Sequence, residues 1–216
     1  MFKLGCMALA AIACCGVVPA AHANGDFFIA GQFGQAKYDD VGLGDDTADT
    51  RAFSLGYRWQ AGPVVQVGIE VGAGKVDEVT QEFSYDGGFY DDHTRVGIDA
   101  RYTHVGANAR FNFGQGSRWF AIARGGYMGY EQNVYVDFDS SYTMPDGTVL
   151  VSGSSYSSSE DGGGVYLGGG IGFDVTPNFN LNVMINGYGF SNLEGDGWNE
   201  DMGTATSTTF GLEARF

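Results

Sequence analysis

Thr204, Thr206, Thr208, Phe210, Leu212, Ala214 and Phe216 alternate with Ala205, Ser207, Thr209, Gly211, Glu213 and Arg215, a period of two held over thirteen residues. Successive residues of a β-strand face opposite sides of a sheet. This segment is therefore a strand with one face that grows apolar and ends in Phe, and another that carries Gly, Glu and Arg. Two architectures accept it. A water-soluble sandwich turns the apolar face inward, whereas a barrel that spans a membrane turns it outward and keeps the polar face in its lumen.

The opening of the chain favours the second. Met1 to Ala23 holds one early charge, Lys3, then the apolar stretch Leu4 to Val18, then Pro19 and the small-residue site Ala21-His22-Ala23. That is the layout of a signal peptide, with cleavage expected after Ala23 and one domain from 24 to 216. A lipoprotein signal modified at Cys14 or Cys15 is the competing reading; Ala11-Ile12-Ala13 lacks the usual leucine, and the Ala-His-Ala site accounts for more. All three cysteines lie within this segment. The mature chain then has no disulfide, thiolate metal site or cysteine nucleophile. No run of about 18 apolar residues follows Ala23, so no spanning helix is expected.

Composition bears on partners. Gly supplies 36 of the 216 residues, about twice the usual share of roughly 7% or more, and 28 are Phe or Tyr. Both disfavour helices. Without Lys3 the chain has 10 basic against 26 acidic residues, a formal charge of −16. Nucleic acid is excluded as a partner on that balance.

Eight periodic segments are expected as strands: Phe27 to Lys37, Arg51 to Trp59, Val64 to Lys75, Val96 to Phe113, Trp119 to Tyr130, Val165 to Val175, Phe179 to Tyr188 and Thr204 to Phe216. Three connections are short and turn-forming: Gln60-Ala61-Gly62-Pro63, Gly114 to Arg118 and Thr176-Pro177-Asn178. Four are long and polar: Tyr38 to Thr50, Val76 to Arg95, Glu131 to Gly164 and Gly189 to Gly203, which together hold 21 of the 26 acidic residues. This alternation of long and short matches extracellular loops and periplasmic turns. The fold class is thus an all-β, antiparallel up-and-down transmembrane barrel of eight strands. In the third loop, Asn133 to Phe138 and Thr148 to Val151 flank Pro145-Asp146-Gly147 as a hairpin continuing strands five and six. The Ser/Gly-rich Ser152 to Gly164 is expected to be mobile.

Parity assigns the faces. Ile29, Gly31, Phe33, Val67, Ile69, Val71, Val105, Ala107, Ala109, Phe111, Leu167, Ile171, Phe173, Phe179, Leu181, Val183 and Ile185 form an almost charge-free outward row. The complementary row holds Gln32, Glu70, His104, Asn108, Arg110, Arg124, Asp174, Asn182, Asn186, Glu213 and Arg215. Eight strands enclose just enough space for side chains to fill, so these groups are expected to pair with one another as a polar plug.

The chain resembles the small eight-stranded outer-membrane barrels that include the transmembrane domain of outer membrane protein A and the Ail-type adhesion and serum-resistance barrels. The likeness rests on the opening Phe27-Phe28-Ile29-Ala30-Gly31-Gln32-Phe33-Gly34, the turn Val175-Thr176-Pro177-Asn178 and the close Gly211-Leu212-Glu213-Ala214-Arg215-Phe216. It implies residence in the bacterial outer membrane among lipid and lipopolysaccharide, and reading of Phe216 by the barrel-assembly machinery. Of the outer membrane protein A barrel's buried ion network, Glu70 and Arg124 match; Asn108, Gly172 and Asn182 stand where that network has a lysine, a glutamate and an arginine.

Enzyme and cofactor motifs are weak. His93 and His104 lack the His-x-Ser arrangement of barrels that modify lipid A, and no spacing implies an oriented nucleophile and base. Asp39-Asp40, Asp45-Asp46, Asp91-Asp92 and Asp137-x-Asp139 lack the spacing of a calcium loop and are read as solvated charge. In Gly168-Gly169-Gly170-Ile171-Gly172, Phe173 takes the place of the third glycine of a phosphate loop. The expectation is a non-enzymatic protein without cofactor or metal, acting in envelope integrity and adhesion to a host or surface ligand. Phe83, Tyr85, Phe89, Tyr90, Tyr135, Phe138, Tyr142 and Tyr156 supply contact area. A narrow ion or small-solute channel is the alternative, with lipid-A chemistry behind it.

Overall fold

The computed structural model describes residues 25–39, 47–192 and 203–216. They form β1 (Gly25–Asp39), β2 (Thr47–Gln60), β3 (Val65–Asp86), β4 (Tyr90–Asn112), β5 (Trp119–Thr143), β6 (Val149–Thr176), β7 (Phe179–Asn192) and β8 (Gly203–Arg215). Each strand pairs antiparallel with its neighbours in sequence. The ring closes where β8 returns to β1, from Phe28 opposite Arg215 to Asp39 opposite Thr204. An apolar outer face requires that closure, because lipid offers no partners to an open strand edge. Met1 to Ala23, read as a signal peptide, and the centres of the first and fourth loops lie outside the described residues.

At the periplasmic end the connections are tight. The Ala61 and Gly62 amides both donate to the Val65 carbonyl, at 2.9 and 3.1 Å, and the Ser117 amide donates to the Gly114 carbonyl at 3.2 Å. Gly116 sits at φ +77°, a left-handed conformation that any side chain would strain. Arg118 ties this turn to the next, donating from Nε to the Asp174 carbonyl at 2.7 Å and from Nη2 to the Val175 carbonyl.

The other end departs from the sequence reading. Val76 to Arg95 is not a loop: after a bulge between Val76 and Val79, β3 and β4 stay paired from Val79 opposite Ile98 to Asp86 opposite Asp91. With water on both faces a strand can carry Glu82, Asp86, Asp91 and Asp92, so acidic composition does not mark a loop there. Ser152 to Gly164, expected as a mobile stretch, is strand, paired with β5 from Ser140 opposite Ser152 to Met128 opposite Gly164. Backbone groups alone make that ladder, and serine and glycine leave them free to do so. The hairpin about Pro145-Asp146-Gly147 is present. The Met144 amide donates to the Thr148 carbonyl at 2.8 Å and the Gly147 amide to the Met144 carbonyl at 2.9 Å.

Pairing between β2 and β3 stops at Thr50 opposite Val76, and pairing between β6 and β7 at Gly162 opposite Asn192. Above these points, among the described residues, β3 to β6 stand as a four-stranded sheet. Below them, Phe33, Ile69, Leu167, Ile171, Ile185 and Phe210 are exposed on the outside of the ring, an apolar belt that only lipid can cover. Trp59, Phe113, Trp119 and Phe216 edge it at the periplasmic end, and Phe53 and Tyr127 sit toward the other, also exposed. The packed interior holds Phe120, Ile122 and Met184 at the periplasmic end, and Ala36, Ala48, Val76 and Val79, packed against Tyr102, near the rim.

Candidate functional site

The lumen is a ladder of polar groups. Asp174, near the C-terminal end of β6, accepts from Arg215 Nη2 at 2.7 Å and from Arg110 Nη2 at 2.5 Å. Arg110 is 1% exposed, and its guanidinium lies 3.6 Å from the centre of the Phe120 ring. Above it Arg58 grips Glu213 through both terminal nitrogens, at 2.7 and 2.8 Å. Asn180 Nδ2 adds a bond to the same carboxylate at 2.9 Å. Arg58 Nε donates to Asn108 Oδ1 at 2.7 Å, and Asn108 Nδ2 passes the chain on to Glu70 Oε2 at 3.1 Å. Tyr166 completes Glu70 with a 2.9 Å bond to Oε1. Arg124 forms the next rung, donating from Nη2 to Gln32 Oε1 at 2.7 Å and to Asn186 Oδ1 at 2.8 Å.

Gln32, Glu70, His104, Asn108, Arg110, Asn182, Asn186, Glu213 and Arg215 are buried on the inner side of the ring, with Arg124 beside Gln32 and Asn186, and Asp174 held there by Arg110 and Arg215. They do not all pair as the resemblance implied. Arg124 Nη1 stands 3.9 Å from Glu70 Oε1, while the close two-point pair is Arg58 with Glu213. Asn182 Nδ2 donates to Asn180 Oδ1 at 3.3 Å. His104 Nε2 lies 3.7 Å from Glu70 Oε1 with its ring edge-on to Tyr166.

Arg58, Asn180 and Tyr166 were absent from the expected set. Arg58 could have been found: in Phe53-Ser54-Leu55-Gly56-Tyr57-Arg58-Trp59 the large apolar residues occupy the odd positions, so Arg58 belongs to the inner row. Parity reaches Tyr166 too, since Leu167, Ile171 and Phe173 take the odd positions of its strand, but tyrosine suits either face and does not stand out as a lumen group.

The sheet above the rim has two unlike faces, fixed by register. Phe83 lies opposite Thr94, which lies opposite Phe138; Tyr85 is opposite Asp92, and Tyr90 opposite Tyr142. Phe83, Tyr85, Phe138 and Tyr142 therefore share the face that continues the lumen wall. Tyr135 is on the other, its ring crossing Gly97. There it joins Glu82, Arg95, Asp137 and Asp139, whose rows run Glu82–Arg95–Asp137 and Ser84–His93–Asp139. Among the described residues no three His, Cys, Asp or Glu side chains gather to hold a metal ion.

A third feature lies on the lipid-facing side, at the base of that sheet. Arg51 is opposite Lys75 and Lys75 opposite Arg101, three cations in adjacent cross-strand positions. Asp77 bridges two of them, 3.1 Å from Lys75 Nζ and 3.0 Å from Arg51 Nη2. The Lys75 hydrogen bond outweighs the opposing cost of burial and, with Arg51, holds its carboxyl below the usual range.

Three comparisons with known proteins bear on this geometry. Residues 7–216 match the family described as "Outer membrane protein beta-barrel domain". No curated protein matches the chain. Among solved structures, it is similar to Ail, the attachment invasion locus protein of Yersinia pestis, at 15% identity and a TM-score of 0.49, covering 89% of this chain and 99% of that one. It is also similar to OprG from Pseudomonas aeruginosa, at 13% identity and a TM-score of 0.45 over 91% and 98% of the two chains. A third is Neisserial surface protein A, at 16%, 0.40, 88% and 97%. With a family match across nearly the whole chain and a closed eight-stranded ring belted by apolar side chains, this protein belongs to the outer membrane protein beta-barrel domain family and resides in the bacterial outer membrane.

Proposed function

We propose that the protein is a non-enzymatic surface barrel that contributes to envelope integrity and attaches to a partner through the sheet above its rim. One observation carries this reading: Phe83, Tyr85, Phe138 and Tyr142 stand exposed on a single face of a paired sheet. Aromatic side chains fixed on regular strands lose little freedom on contact, which suits them to anchor a partner. The opposite face, with Glu82, Asp137 and Asp139, keeps the projection solvated.

The test replaces residues 81–96 and 133–158 with short Gly-Ser turns and measures attachment of expressing cells to host cells or matrix. The variant must still show the mobility shift between boiled and unboiled samples that marks a folded barrel. Attachment should fall to the level of cells without the protein, and unchanged attachment would sink the idea. A narrow channel is the second reading. It is favoured by buried polar atoms without a protein partner at several heights, among them Arg215 Nε, Asn182 Oδ1 and His104 Nε2, since such atoms call for water. Planar-bilayer recordings should then show steps that grow when Glu70, Arg124 or Arg58 is truncated; a silent bilayer for all four proteins rejects it.

A further inference from the structure

The sheet above the rim has two lateral edges, and they are built differently. β3 passes its last pair with β2 through the bulge between Val76 and Val79, and Asp77, Glu78, Glu82 and Asp86 lie along it. A bulge and charged side chains guard an edge strand, because they deny another chain a straight, neutral row of backbone groups. β6 carries neither. From Val149 to Asp161 it is in unbroken register with β5 and every residue is exposed. Among the described residues its other edge has no strand partner until Gly162 meets Asn192. No charged residue and no proline occurs from Val149 to Ser159, and Val149, Leu150, Val151 and Tyr156 stand exposed in that run.

Such an edge points amide and carbonyl groups into water, a template on which a further strand can pair. Charge decides which strand. The protein has 26 acidic residues against 11 basic, so most of its surface repels a second copy. An uncharged edge is where two copies meet without like charges directly opposite one another. Direction follows from β7, which fills the same edge of β6 from Gly162 downward. A second β6 laid parallel would bring the β7 of one copy onto the β6 of the other. Laid antiparallel about a twofold axis at Ser154, it sets Val149 opposite Ser159 and Gly153 opposite Ser155, and its own β7 lies beyond the Pro145-Asp146-Gly147 turn. A twofold contact is isologous, so one sequence supplies both sides.

We propose that β6 of one copy pairs edge to edge and antiparallel with β6 of a second copy on an apposed membrane, the run from Val149 to Ser159 of each joining the two sheets. The contact uses the edge of the sheet and not its aromatic face, and neither reading depends on the other.

The test uses the full protein folded in uncharged maltoside micelles, and cells that display it. Ser154 meets its own counterpart on the axis, where opposed Cα atoms of an antiparallel pair stand about 4.5–5.5 Å apart, within reach of a disulfide. Ser158 lies roughly 25 Å along the strand from its counterpart. Oxidised Ser154→Cys protein should therefore give at least tenfold more linked dimer than Ser158→Cys protein, with oxidised wild type as background. Displaying cells labelled in two colours should clump with each other and leave out cells that lack the protein. Ser152→Lys with Ser154→Lys should abolish the clumping, which is scored without host cells and so is read apart from attachment. The boiled-against-unboiled mobility shift checks that each variant is folded. Equal cross-linking at the two positions, clumps that take in protein-free cells, or undiminished clumping by the folded lysine variant overturns the proposal.

Discussion

Arg58 reaches the lumen from between Tyr57 and Trp59, which meet edge to face at 5.1 Å on the lipid side. Its guanidinium is 3% exposed and the Glu213 carboxylate 2%. Two charges removed from water so fully cost several kcal/mol each, which their attraction and added hydrogen bonds must offset. Arg58 does this with Glu213, Asn108 and the Phe28 ring 4.0 Å away, and Glu213 with Arg58 and Asn180. Removing one partner strands the other. Glu213→Ala should therefore lower the stability of the folded barrel by about 3–5 kcal/mol, read from urea unfolding in micelles. The double change Arg58→Met with Glu213→Leu should cost much less, because no bare charge remains. A double variant as unstable as the sum of the single ones would show that the two residues act apart. The pair was half legible: alternation in β8 placed Glu213 inward, but the partner came from tracing the resemblance, which pointed to Glu70 and Arg124 instead. Register across the ring, not sequence, sets which inward charges meet.

The eight spanning strands could be read because lipid on one side and a polar lumen on the other impose a strict alternation, as in Phe210, Leu212 and Phe216 against Gly211, Glu213 and Arg215. That constraint ends at the rim. Above it Gln81-Glu82-Phe83-Ser84-Tyr85-Asp86 still alternates, but among acidic residues and short polar ones, and the segment passed for a loop. Here the strands support one another laterally. The β5–β6 hairpin leans on β4, with Val96 opposite Val136 and Thr94 opposite Phe138, and a two-stranded hairpin on its own is marginal in water. Replacing residues 81–96 alone with a Gly-Ser turn should leave the barrel intact, since the lumen ladder lies below Val76. It should also expose residues 149–160 to protease, cut within minutes where the wild type resists. Equal resistance in the two proteins would mean that the hairpin is held by β5 and β6 alone.

At the scale of the whole molecule, eight of the 11 lysines and arginines fall into three groups: Arg58, Arg110, Arg124 and Arg215 neutralise the lumen, Arg118 ties two periplasmic turns, and Arg51, Lys75 and Arg101 stand side by side where the lipid belt ends. Like charges directly opposite on neighbouring strands destabilise a sheet. Asp77 answers two of the three, and Glu131 stands opposite Arg101 on the same face, so the cations are matched by carboxylates within the wall itself. Asp77→Asn should therefore lower the temperature at which the barrel unfolds in micelles, and the loss should shrink in high salt, as the repulsion between the freed cations is screened over about 10 Å at 0.1 M ionic strength. An unchanged unfolding temperature at low salt would mean that the repulsion across β2, β3 and β4 is a cost that the ladder of backbone hydrogen bonds absorbs.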